Sequence, residues 1–172
     1  KRELVMNNST NEISAISNYH LGEKQFRILK IISILSLICM LWHDLDHLRV
    51  VIHRSYPILP QQFVTVVIAY IPALCALYMA YKRSPYAALT AFVSGIILLM
   101  GFILLHIIGT SAISSIFDTF LGEWKVPFSA LHSDSLSWLN LIANMLWSIV
   151  MIIVATYILA AQITGRLNQL YK

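Results

Sequence analysis

Four apolar runs, each about 20 residues or more, leave this chain few folds to choose from. They fall at about 27–50, 61–81, 86–109 and 136–161. Each can carry a helix across roughly 30 Å of hydrocarbon. The runs are unbroken and do not alternate, which argues against barrel strands. Composition agrees: 58% of the 172 residues are hydrophobic and 12% charged, with a mean hydropathy of +0.72. Soluble domains carry about 25% charged residues. The sequence predicts an all-α integral membrane protein with four transmembrane helices in an up-down bundle.

One such domain fills the chain. Residues 1–26 form a polar N-terminal segment, and 27–172 form the transmembrane domain. The first 25 residues lack the apolar stretch of a signal peptide. Pro57 and Pro60 separate the first two runs, and Lys82-Arg83-Ser84-Pro85 separates the next two. The connection 110–135 carries Phe117, Phe120, Trp124 and Phe128. That is too apolar for a solvated loop, and an interfacial helix or cap between helices three and four is expected.

Basic residues set the orientation. Lys1, Arg2, Lys24, Arg27, Lys30, Lys82, Arg83, Arg166 and Lys172 share one side, and Arg49, Arg54 and Lys125 the other. Both termini are therefore expected in the cytoplasm. The net charge of +4 reflects this asymmetry, and no basic-aromatic block of a nucleic-acid surface occurs. Cys39 and Cys75 lie within apolar runs and are too few for a disulfide framework. Ala87-x-x-x-Ala91-x-x-x-Gly95 and Ala69-x-x-x-Ala73 are small-residue spacings that let helices approach closely.

On this topology, five of six histidines meet one membrane face: His43, His47, His53, His106 and His132. Ionisable groups there are costly and usually functional. At 100° per residue, with His43 at 0°, His47 falls at about 40°, Asp46 at about −60° and Asp44 at about 100°. A His-x-x-x-His pair beside a carboxylate holds a divalent transition metal from one helix, and imidazole with carboxylate suits zinc, copper or iron. His43, Asp46 and His47 are the central candidates, with His106 the partner from another helix. Asp44, His53, His132 and Asp134 are further ligands or orienting groups. His53 is expected past the helix end, and Asp134 or Ser135 doubles as a cap for the last helix. Against the metal reading stands an Asp46–Arg49 ion pair at i,i+3. Asn140 and Asn144 face one way in the last helix and suit interhelical hydrogen bonding.

Haem b is the competing cofactor, held for example by His47 and His106. A four-helix membrane cytochrome, however, uses facing histidine pairs towards both membrane sides. No phosphate loop, nucleophile elbow or zinc-protease motif occurs. Three functions follow: a metalloprotein of, or associated with, a membrane oxidoreductase complex; a non-catalytic accessory subunit; or a proton- or ion-conducting protein using the Asp/His cluster. The expected partners are the lipid bilayer and other membrane subunits or further copies of the chain.

Overall fold

The computed structural model describes residues 21–54, 60–108 and 134–170. All regular structure among them is helical: α1 (Glu23–Arg54), α2 (Pro60–Tyr81), α3 (Ala87–Phe102) and α4 (Ser135–Leu170). A π-helical turn, Ile103–Ile108, continues α3. The polar segment 1–20 and the connection 109–133, with its expected cap and His132, lie outside the described residues.

Two boundaries move. α1 begins at Glu23, before the expected apolar start, and runs to Arg54, so His53 is on the helix and exposed rather than past its end. Among the described residues, three helices are long and apolar enough to cross a membrane, over Glu23–Val50, Ala87–Ile107 and Ser135–Gly165. α2 is apolar over Val66–Tyr81, and Pro60 suits its start, where a missing N–H costs nothing.

The helices pack in a ring. α1 lies between α2 and α4, α3 closes the ring opposite, and the two diagonal pairs, α1 with α3 and α2 with α4, meet least. Trp147 Nε1 donates to the Ile32 carbonyl and Asn140 Nδ2 to the Trp42 carbonyl. α4 therefore runs opposite to α1. Lys30 stands over the Tyr81 ring, 5.0 Å from its centroid, while Tyr70 reaches Asp44. α2 therefore also opposes α1.

Burial is inverted relative to a soluble bundle. Asn140, Ser33 and Ser137 are fully buried, while Ile38 is 55% and Val67 65% exposed. An apolar exterior around a polar interior is what lipid solvent selects. At the end away from the histidines the interior is apolar: Leu29, Ala76, Ala80, Ala87, Ala91, Met151, Ala155 and Ile158 form one cluster. Ala87, Ala91 and Gly95 are all buried, so the small-residue stripe of α3 packs within the chain; Ala73 is buried in α2 and Ala69 is exposed. Cys39 is half-buried and Cys75 exposed, both as free thiols.

At the same end α2 stops in a Schellman turn. Ser84 N donates to the Met79 carbonyl and Arg83 N to the Ala80 carbonyl. Arg83 takes the left-handed position (φ 52°) and pairs with Glu23 at 2.7 Å.

Gly95 and Gly101 separate packing from propensity. A Cβ on Gly95 meets Ile152 Cγ1 at 2.8 Å and the Ser148 carbonyl at 3.2 Å, whereas one on Gly101 meets nothing within 4 Å. Gly95→Val is expected to destabilise the α3–α4 seam by about 1–3 kcal/mol. Gly101→Ala is expected to be neutral or stabilising by up to about 1 kcal/mol. Thermal unfolding of both variants in one detergent checks the pair.

Candidate metal centre

The residues facing inward from α1 fan out towards its three neighbours. Asp44, at about 100° on the helical wheel, meets α2, where Tyr70 Oη donates to its Oδ2 at 2.6 Å. His43 and His47, at about 0° and 40°, point across the ring to α3. Asp46 and Arg49, at about −60° and −120°, lean to α4.

Across the ring stands His106. The three Nε2 atoms of His43, His47 and His106 form a small triangle: His43–His47 2.9 Å, His43–His106 3.0 Å and His47–His106 3.1 Å. Among the described residues these three are the group of potential ligands close enough to share an ion. His43 and His106 are buried and His47 is partly so. Phe102, one turn before His106, packs edge-on against His43, with centroids 5.1 Å apart and planes at 90°. The Phe102 backbone is also a hydrogen-bonding neighbour of the His106 ring.

The triangle cannot satisfy itself. The Nε2 of a neutral imidazole offers one proton or one lone pair, never both. Among three such atoms two must be alike, so at least one contact sets proton against proton or lone pair against lone pair. A cation facing three lone pairs removes the conflict. The spacing suits it: with metal–imidazole bonds of about 2.0–2.1 Å, ligands at right angles stand about 2.9 Å apart and tetrahedral ones about 3.3 Å. Three ligands on one face leave further coordination positions open.

The π turn carries His106. Such turns widen the helix by one residue and recur at functional sites. It begins just after Phe102, so the same short stretch sets both the phenyl ring and the third imidazole.

The carboxylates have other work. Asp46, expected as a ligand, is buried and gives Oδ1 to Arg49, whose Nε lies at 2.9 Å and Nη2 at 2.8 Å. It is about 100° from His47 on the helix, and the guanidinium one turn on turns it away from the triangle. Arg49 also binds Asp134, with Nη1–Oδ2 2.8 Å, and donates to Ser137 Oγ. Asp134 Oδ1 accepts from Ser137 N at 2.9 Å, which makes it the cap of α4. Asp134 and Asp46 thus tie α1 to the start of α4, and His53 stands apart from the triangle. The sequence marked Arg49 only as a neighbour of Asp46; nothing in it marked Tyr70 or Ser137 as partners.

Comparison with known proteins returned no match: no protein family, curated protein or solved structure is detectably similar to the chain. The class defined by fold and geometry is therefore the whole of the identification: an all-helical protein with membrane-like apolar helices and a histidine cluster able to hold a metal ion.

The hydrogen bonds from Arg49 and from the Ser137 amide hold the Asp134 carboxyl below the usual carboxylate range. A lowered folded value means this tie is fully present above the unfolded value of about 3.9 and is lost as pH falls below it. The expected result is an acid-side loss of stability confined to pH below about 4. Asp134→Asn should flatten that limb, as read from unfolding midpoints across pH.

Proposed function

We propose that this chain is a small integral membrane metalloprotein in which His43, His47 and His106 hold one divalent transition metal ion. The observation that carries the reading is the triangle of Nε2 atoms at 2.9–3.1 Å, a self-conflicting arrangement without a cation. All four helices are taken as spans in an up-down bundle. The basic end, with Lys24, Arg27, Lys30, Lys82 and Arg83, is placed in the cytoplasm with both termini, and the histidine end on the outer side.

An open facial site suits metal-assisted chemistry on water, oxygen or a small oxygen ligand. This supports a role in, or beside, a membrane oxidoreductase complex. Zinc, copper and iron all accept imidazole. Asp44, next to His43 in sequence and with Tyr70 on its Oδ2, is the candidate orienting or proton-accepting group.

A single haem between His47 and His106 fits poorly. Axial ligands on opposite sides of an iron stand about 4 Å apart, twice a bond of about 2.0 Å, and these two nitrogens are 3.1 Å apart. The accessory-subunit reading leans on the small-residue stripes and on the apolar connection 110–135; the stripe of α3 is buried inside the chain, and the connection lies outside the described residues.

Elemental analysis of the detergent-purified protein tests the proposal. Near-stoichiometric metal is expected in the wild type, with loss in His43→Ala/His47→Ala and in His106→Ala. Asp46→Asn should keep the metal, since its carboxylate serves Arg49. A well-folded wild type free of metal after loading with zinc, copper and iron in turn would sink the proposal, and a Soret band would transfer the site to haem.

A further inference from the structure

A second polar feature runs through the bundle, separate from the imidazoles. On α4, Ser137, Asn140, Asn144 and Ser148 form one buried stripe. It starts at Ser137, whose Oγ accepts from Arg49, a side chain 42% exposed. Asn140 follows, donating to the Trp42 carbonyl at 3.0 Å, beside His43. Asn144 Nδ2 reaches both Asn140 oxygens, and Ser148 Oγ donates to the Asn144 carbonyl at 2.9 Å.

The stripe then meets two hydroxyls. Ser33 follows Ile32, which accepts from Trp147, and Ser94 precedes Gly95, which packs on the Ser148 carbonyl. Both therefore belong to the level of Trp147 and Ser148. Both are buried, at 0% and 2% exposure, and neither Oγ has a hydrogen-bond partner among the described residues. A helical serine usually donates back to the carbonyl four residues earlier, as Ser148 does. An orphaned hydroxyl inside an apolar bundle is costly, and ordered water is the usual partner where several polar groups converge. One turn further on, Ala91, Met151 and Leu29 begin the apolar cluster.

We propose that Asn140, Asn144, Ser148, Ser33 and Ser94 line a file of bound water that starts beside Arg49, passes the backbone of Trp42 and His43, and ends dry at the apolar cluster. The ligand is water. The file gives the histidine triangle exchange with solvent from one end of the bundle and not from the other. It rests on these polar residues alone and holds whether or not the histidines bind metal.

Infrared spectroscopy of the S–H stretch tests it in the full chain with Cys39→Ser and Cys75→Ser. Ser33→Cys and Ser94→Cys report on the file, and Ala155→Cys on the apolar cluster. On transfer to deuterated buffer, the thiols at 33 and 94 are expected to convert to S–D at least about tenfold faster than that at 155. Adding Asn140→Leu/Asn144→Leu to Ser33→Cys should remove most of that difference. Equal rates at all three positions, slow or fast, would overturn the proposal, as would fast exchange at 33 that survives the leucine pair. If either serine position rejects cysteine, radiolytic labelling of the unmodified protein replaces it. Met40, one turn from both Ser36 and His43, should then be oxidised more readily than Met151, and the reverse order counts against the file.

Discussion

Lipid offers no hydrogen bonds, so every polar group inside this bundle must find its partner within the chain or bring one with it. That constraint orders the architecture. Many large apolar side chains face outward, and serine, asparagine, histidine and aspartate share the interior with apolar clusters. Each buried polar group then becomes a question with few answers. Asp46 answers with Arg49, Asp44 with Tyr70, and Asn140 with a peptide carbonyl. Among the described residues, the histidine triangle, the hydroxyls of Ser33 and Ser94, and Gln162 Oε1 are places where protein groups alone do not suffice.

The two ends of the bundle divide the labour. One is closed by alanines and by the basic residues around the Schellman turn, with Lys30 and Lys82 over tyrosine rings. The other is polar, clamped by Arg49 between two helices, and holds the imidazoles where α1 and α3 approach across the ring. Structural polar pairs and the candidate site thus lie side by side without sharing atoms. The three imidazoles stand together as the candidate site, while Asp46 and Asp134 are spent on geometry.

Much of this was legible in the sequence. Helix number and class follow from run length, and the pairing of His43 with His47 follows from i,i+4 spacing. His106 was readable as the partner because an ionisable residue late in an apolar run has few other uses. The failure of Asp46 to join them was only half readable: Arg49 at i+3 was visible, but the pull of Asp134 and Ser137 depends on how α4 docks. The second helix falls where its run predicted, over Pro60–Tyr81. The π turn had no sequence signature, since Ile103-Leu104-Leu105 reads equally well as ordinary α-helix. Two of the expected groups, His132 and the cap after α3, belong to residues the structure does not describe.

That π turn has a consequence for how such a site can come and go. It holds i→i+5 rather than i→i+4 hydrogen bonds, and so accommodates one residue more than the α-helical turn it replaces. Loss of one residue from Ile103–Leu105 would let the turn close as ordinary α-helix and leave the imidazole near its present direction, because the widened turn absorbs that residue. Closing the same stretch as α-helix at its present length would instead turn His106 around the axis and out of the triangle. The third histidine is thus placed by how the backbone before it is wound, and not by any side chain of the triangle.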